Sequence, residues 1–175
     1  MNFLITSQVA AKERNFNVEC RQTLCKAINP QIIKRFECSA KKIGPSSHLG
    51  NSVFMFNQQL DTNFDMHLKI HVGTGGKIVK FLDLKMNVCE TLFRGMSIPL
   101  VKKIMIDVLK SSNIPRKCPF KANFLYNMSD LIVDDSYFPK FTPTPMDLNF
   151  SIDYLENQKK FAILRIEAAT VPKTP

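Results

Sequence analysis

The chain has 175 residues, of which 45% are hydrophobic and 22% charged, and its formal net charge is +9. This length and composition predict one globular domain and exclude a disordered, coiled-coil or fibrous protein. The basic residues are dispersed in pairs, which favours a solvated basic surface over a nucleic-acid site, and the sequence lacks the ~20 consecutive apolar residues of an integral membrane protein.

The first 15 residues are predicted to lie outside the folded domain. An apolar patch at residues 3–5 precedes the small residues Ala10 and Ala11, which resemble a signal-peptide cleavage site, but the basic region that begins such a peptide is missing. Segment 1–15 is therefore interpreted as a remnant signal peptide or a disordered terminus. Residues 16–172 are predicted to form a single domain.

Two strands are predicted in the first third of the chain. Residues 31–43 place apolar side chains between polar ones and end at the turn-forming segment 44–47. Residues 51–60 contain a short run of β-forming residues, 53–56, bounded by glycine and polar residues.

The clearest pattern in the sequence is an alternation that predicts a hairpin over residues 63–89. The apolar members of the first strand are Phe64, Met66, Leu68, Ile70 and Val72, and those of the second are Ile78, Leu82, Leu84, Met86 and Val88. The intervening segment 73–76 supplies glycines for the turn. It is not a phosphate-binding loop, because no helix and no Gly-Lys-Ser/Thr ending follow it.

The period changes to that of a helix between residues 97 and 113. Ser97 is placed to cap an amphipathic helix, Pro99 lies in its first turn, and Pro115 follows its end. Residues 120–145, with their scattered prolines, predict loops and one edge strand.

A second hairpin is predicted near the C-terminus, over residues 145–170. Apolar residues at 146, 148, 150, 152 and 154 alternate with polar ones, and the pattern resumes after a turn at 156–158. The fold class expected from these elements is mainly β: an antiparallel two-sheet β-sandwich with one inserted amphipathic helix near 97–113.

Five cysteines occur without a CxxC pair or a neighbouring histidine, so a metal site is not predicted. The order of the elements suggests one disulfide between Cys20 and Cys38 and a second between Cys89 and Cys118. Cys25 is then left over, and it is free, replaces Cys20 in the first pair, or joins two chains. The alternative is that all five are buried thiols of a reducing compartment.

Two N-glycosylation sequons favour the disulfide interpretation and an extracellular, secreted protein. They begin at Asn127 and Asn149, and Asn149 falls on the polar face of its predicted strand.

Several short motifs carry a family resemblance that covers roughly residues 16–172. They are Lys117-Cys118-Pro119-Phe120, Asn123-Phe124-Leu125-Tyr126-Asn127, the PKFTPTP stretch and the final hairpin, together with Cys38 and Cys89. With them the chain resembles a large insect family of uncharacterised secreted proteins related to the chemosensory CheB proteins, which is similar to ganglioside-activator and ML-type lipid-recognition domains. The resemblance implies an ML-like, immunoglobulin-like cup that admits a lipid or hydrocarbon, has no catalytic residues, and has a chemosensory or reproductive role.

Inward-facing apolar residues are the candidate ligand-binding set, because apolar pockets are built from such side chains. The set is Phe54, Phe56, Phe64, Met66, Leu68, Leu82, Leu84, Met86, Ile104, Phe150 and Ile152. The alternative is that these residues pack a solid core. The predicted helix contributes Ile104 as a possible cover of the cavity mouth, with Lys102 and Lys103 available to anionic headgroups.

No catalytic, metal or cofactor site is predicted. His67 and His71 lie four residues apart on one strand, ~13 Å from each other, which is too far to chelate one ion. The expected function is therefore a secreted, non-catalytic binding protein for a lipid or other hydrophobic small molecule. The alternative is an extracellular interaction module with a solid core that binds a receptor or an acidic glycan.

Overall fold

The computed structural model describes residues 14–173, so the predicted leader or disordered terminus lies, apart from its last two residues, outside the described part. The protein is mainly β, with two antiparallel sheets of five and three strands, and this confirms the predicted sandwich. The strands are β1 (Phe16–Ala27), β2 (Ile33–Lys42), β3 (His48–Phe56), β4 (Phe64–Thr74), β5 (Lys77–Asn87), β6 (Tyr126–Val133), β7 (Met146–Glu156) and β8 (Lys159–Pro172). The helices are α1 (Val88–Arg94) and α2 (Pro99–Lys110), and Asp135–Tyr137 forms a 3-10 turn.

The five-stranded sheet has the order β1-β8-β7-β4-β5, and both predicted hairpins lie in it. At one end of this sheet the paired residues are Gly73–Asp147, Met146–Thr170 and Phe16–Pro172. We call this the turn end, because the β4–β5 turn lies there. The opposite end, where Phe64 pairs with Glu156, is called the aromatic end.

The second layer consists of the three-stranded sheet, ordered β2-β3-β6, and the two helices. Strand β2 contacts β1, helix α1 contacts β4 and β5, and helix α2 contacts β6. The edge strand predicted within 120–145 is β6, which lies at the edge of this sheet. The layer therefore covers the five-stranded sheet with strands over β1 and helices over β4 and β5.

At the first bridge the structure has the alternative pairing, in which Cys25 replaces Cys20. Cys89 and Cys118 are joined as expected, but Cys38 is bonded to Cys25, and Cys20 is the free thiol. The predicted Cys20–Cys38 pair is wrong, because the backbone N–H of Cys20 donates to His48 Nε2 at 3.3 Å. His48 lies four residues along β3 from Ser52, and Ser52 is the residue that pairs with Cys38. Cys20 is therefore displaced from Cys38 by ~13 Å along the strand direction.

The inserted helical region contains two helices instead of one. Helix α1 begins directly after β5, and the Asn87 side chain caps it by accepting from the Glu90 N–H at 3.0 Å. Val88 therefore begins a helix and does not end the hairpin strand. Helix α2 begins after Ile98, with Pro99 in its first turn, so Ser97 is not its cap.

Strand β5 contains a bulge that the alternation did not reveal. Leu82 pairs with Ile70, but Lys80 pairs with His71, so Phe81 is the extra residue. A one-residue insertion exchanges the two faces of a strand. Ile78, predicted on the core face, is consequently 72% exposed.

Candidate ligand-binding cleft

A cluster of aromatic rings fills the space between the layers at the aromatic end. Phe56 is 2% exposed, and its ring centroid lies 5.8 Å from Phe64, 5.9 Å from Phe120 and 6.0 Å from Phe161. Most of these rings meet edge to face, which is a favourable arrangement for aromatic pairs. This end of the sandwich is solid, so Phe56 and Phe64 belong to the core, with Phe54 packed against them.

A second apolar cluster lies under helix α2, further along the same sheet. Its buried members are Leu68, Ile70, Met86 and Val101. Packed against them and only half-buried are five residues of the candidate set, namely Met66, Leu82, Leu84, Phe150 and Ile152. Met66 contacts both clusters and joins them.

The middle strands of the five-stranded sheet keep an accessible inner face. Phe150 and Ile152 of β7 pair with Ile166 and Leu164 of β8, and all four are half-buried although their strands are interior ones. In a closed sandwich, inward-facing residues of central strands are packed against the other sheet and lose their solvent contact. Their accessibility indicates an incompletely covered apolar face above β7 and β8, which we call the cleft.

The inward-facing side chains of β3 become smaller beyond the aromatic end. Counting from the aromatic end, the inner face of β3 carries Phe56, Phe54, Ser52, Gly50 and His48. The large rings thus stop after Phe54, and two small residues follow. Ala168 on β8 is likewise small and half-buried. None of these three small residues was in the predicted set, because that set was chosen for large apolar side chains. The change from large to small residues along β3 is the signal that could have identified Ser52 and Gly50.

Helix α2 spans from one sheet to the other at the side of the cleft. Its N-terminal residues Leu100 and Val101 pack on the cluster over β4 and β5. At its C-terminus, Ser111 C=O accepts from the Ser129 N–H of β6 at 2.9 Å. Ile104 lies between these attachments and is half-buried, a position compatible with the predicted cover.

A buried histidine ties the two layers together at the turn end. His48 is 5% exposed, and it accepts the hydrogen bond from Cys20 N–H described above. Burial and the charge of Lys42 lower the pKa of His48, although Glu19 opposes them. Burial also raises the pKa of the Cys20 thiol, so this cysteine is a poor nucleophile at neutral pH.

The charged groups on the outer face of the five-stranded sheet form structural ion pairs. Asp153 accepts from Arg165 at 2.7 Å and lies 3.1 Å from Lys160, and although burial opposes them, these contacts hold its pKa below the usual value. Hydrogen bonds from His67 and Lys80 lower the pKa of Asp83 to about 2. Each carboxylate is already paired with a cation, so it is not available as a general base.

One group of possible metal ligands occurs among residues 14–173, and it is occupied by a covalent bond. Asp61, Cys89 and Cys118 lie close together, but the two sulfurs form a disulfide and therefore offer no thiolate.

Of the two sequon asparagines, Asn149 is exposed and Asn127 is half-buried. Within the same residues, no helix has the length and apolar character needed to cross a bilayer.

An open polar depression of 470 Å³ lies apart from the cleft, at the turn end. Its lining is Asn17, Pro45, Ser46, Ser47, Asp134, Asp135 and Lys173, and it contains none of the predicted ligand-binding residues. The candidate set is instead divided among the solid aromatic end, the buried residues Leu68 and Met86 under helix α2, and the half-buried residues around them.

Residues 62–146 match a protein family of unknown function, DUF1091. The matched segment runs from just before β4 to the first residue of β7, and it includes both helices and the second disulfide. No curated protein matches the chain. The match shows that this segment is similar to the members of that family, and the two disulfides are compatible with an extracellular protein.

Proposed function

We propose that this protein is a secreted, non-catalytic binding protein that holds a lipid or other hydrophobic small molecule in the cleft above β7 and β8. The observation that carries the proposal is the accessible apolar face of these two central strands. An apolar surface between two layers is stabilised when an apolar ligand replaces water there. The resemblance to CheB-related and ML-type domains supports the same ligand class and a chemosensory or reproductive role.

The first test is to identify what the protein carries. Organic extraction of the purified protein, followed by mass spectrometry, is expected to release a hydrophobic compound. The stripped protein is then titrated with a fluorescent fatty-acid analogue, which should bind saturably. An empty extract together with no uptake of the analogue contradicts the proposal.

A pair of neighbouring variants locates the binding site. Ala168→Phe places a ring on the inner face of β8, where it fills the cleft, and uptake of the analogue should fall at least about tenfold. Glu167→Phe adds the same ring one residue earlier, at an exposed position on the opposite face, and should leave uptake unchanged. Equal uptake by both variants places the ligand elsewhere.

The second candidate is an extracellular interaction module that binds a receptor or an acidic glycan. The solid aromatic end and the net charge of +9 favour it. Salt-sensitive retention on heparin, combined with no hydrophobic compound in the extract, supports this candidate over the first.

A further inference from the structure

The turn end exposes large apolar side chains on two separate segments. On β5, Ile78, Val79 and Phe81 are exposed, the first two near the β4–β5 turn and the third at the bulge. On the loop before β7, Phe141 is 87% exposed. Large exposed apolar side chains grouped at one end of a protein can mark an interaction site.

Hydrogen bonds and packing hold the second segment at the same end of the sheet as the first. The Thr170 hydroxyl donates to Pro143 C=O at 2.7 Å, and Thr170 pairs with Met146 at the turn end. Phe138, at the start of the loop, packs edge to face on Phe16, with ring centroids 6.4 Å apart. The loop is therefore anchored on both sides of Phe141, and the ring projects from a fixed base.

The charges on these segments are all positive. Residues 72–82 and 136–146 contain Lys77, Lys80 and Lys140 and no carboxylate, although Asp135 and Asp147 directly flank the second segment, the first half-buried and the second paired with Arg21 at 3.0 Å. Lys80 is paired with Asp83, whereas Lys77 and Lys140 make no ion pair with any residue from 14 to 173. Lysines around exposed apolar side chains match a surface that is apolar inside and anionic outside.

We infer that the turn end docks on an anionic lipid bilayer, with Phe141, Ile78 and Phe81 entering the interface and the lysines contacting headgroups. A second copy of the chain fits this surface less well, because a symmetric contact would bury the unpaired Lys77 and Lys140 of both copies in one interface. An acidic glycan accounts for the lysines but leaves the exposed rings in water. Docking does not depend on a ligand in the cleft.

The chain has no tryptophan, so a single introduced one reports on its own position. In Phe141→Trp, the emission should shift to the blue on mixing with vesicles of phosphatidylcholine and phosphatidylserine in equal amounts. The matched control is Phe93→Trp, because Phe93 is 82% exposed but lies on α1, beside the aromatic end. Its emission should not change. The absence of a shift in Phe141→Trp, or an equal shift in both variants, overturns the inference.

Vesicle sedimentation separates the apolar and charged contributions. The double variant Phe141→Ser/Ile78→Ser should bind the same vesicles at least about tenfold more weakly than the wild type, and Phe93→Ser should bind as the wild type does. Lys77→Glu/Lys140→Glu should also weaken binding, whereas Lys159→Glu at the aromatic end should weaken it less. Binding to pure phosphatidylcholine that equals binding to the mixed vesicles contradicts the anionic component.

Two further measurements distinguish the other occupants and the proposed ligand site. A wild-type dimer that becomes monomeric in Phe141→Ser/Ile78→Ser assigns the surface to a second copy and overturns the inference. Heparin retention without vesicle binding assigns it to a glycan and also overturns it. The cleft-filling variant Ala168→Phe should still bind vesicles, so a failure of ligand uptake and a failure of docking are separate results.

Discussion

The aromatic end of the sandwich and the cleft above β7 and β8 are built from the same sheets, but they are packed differently. At the aromatic end, large rings from β3, β4 and β8 fill the space between the layers. Toward the turn end, β3 carries Ser52 and Gly50, and the facing central strands keep half-buried aliphatic residues. The accessible interior is thus confined to the middle of β7 and β8, because the turn end itself is closed by the buried residues Phe16, Val18, Met146 and Thr170.

The largest expected effect is at the centre of the aromatic cluster. Phe56→Ala removes a buried ring that contacts Phe64, Phe120 and Phe161, and it should lower the free energy of unfolding by about 3–5 kcal/mol. Phe150→Ala, in the cleft, should cost only about 1–2 kcal/mol because that ring is already half accessible. Urea denaturation measures both. Equal losses in free energy of unfolding would show that the aromatic cluster and the cleft are packed alike.

The first disulfide is expected to contribute about 3 kcal/mol. Cys25→Ser/Cys38→Ser removes the bridge between β1 and β2, and the unfolded chain gains the freedom of the opened loop. Cys20→Ser should change stability by less than about 1 kcal/mol, because Cys20 is free. Alkylation without reduction, followed by peptide mapping, should label Cys20 alone. Labelling of Cys25 would restore the pairing predicted from the sequence.

The stability of the turn end should depend on pH through His48. Because its folded pKa is lowered, the neutral ring contributes stability that is present above the unfolded pKa, about 6.5, and is lost as the pH falls through the folded pKa. Protonation would also end its acceptance from Cys20 N–H and add a charge near Lys42. Thermal unfolding from pH 7.5 to 5 should show this decline, and His48→Gln should reduce it. An unchanged slope in the variant would mean that another group titrates.

The smallest effect is expected where side chains are most exposed. Phe141→Ser should change the free energy of unfolding by less than about 0.5 kcal/mol, because the ring has almost no buried surface to lose. The same denaturation assay used for Phe56→Ala measures it. A loss above about 1 kcal/mol would mean that the ring packs against the protein, and the docking surface would then need another explanation.

Local pattern was sufficient for most of the architecture. The alternation at residues 64–72 and 146–154 identified β4 and β7, and the period change after Ser97 identified helix α2. Helix α1 was missed because it has only seven residues and follows directly from an alternating strand. The pattern also could not separate Phe56 of the core from Phe150 of the cleft, since both are inward-facing aromatic residues.

The sequence by itself determined the strands, the hairpins and the apolar faces, because side-chain period and turn chemistry are local properties. Only the tertiary structure decided how those faces are used. The bulges in β1 and β5 shift the register, and register determines that Cys25 meets Cys38 and that Ile78 faces solvent. Whether an inward residue is packed or accessible depends on what faces it across the layers. Here the large rings of β3 end at Phe54, and Phe150 and Ile152 of β7, beyond those rings, stay half-buried.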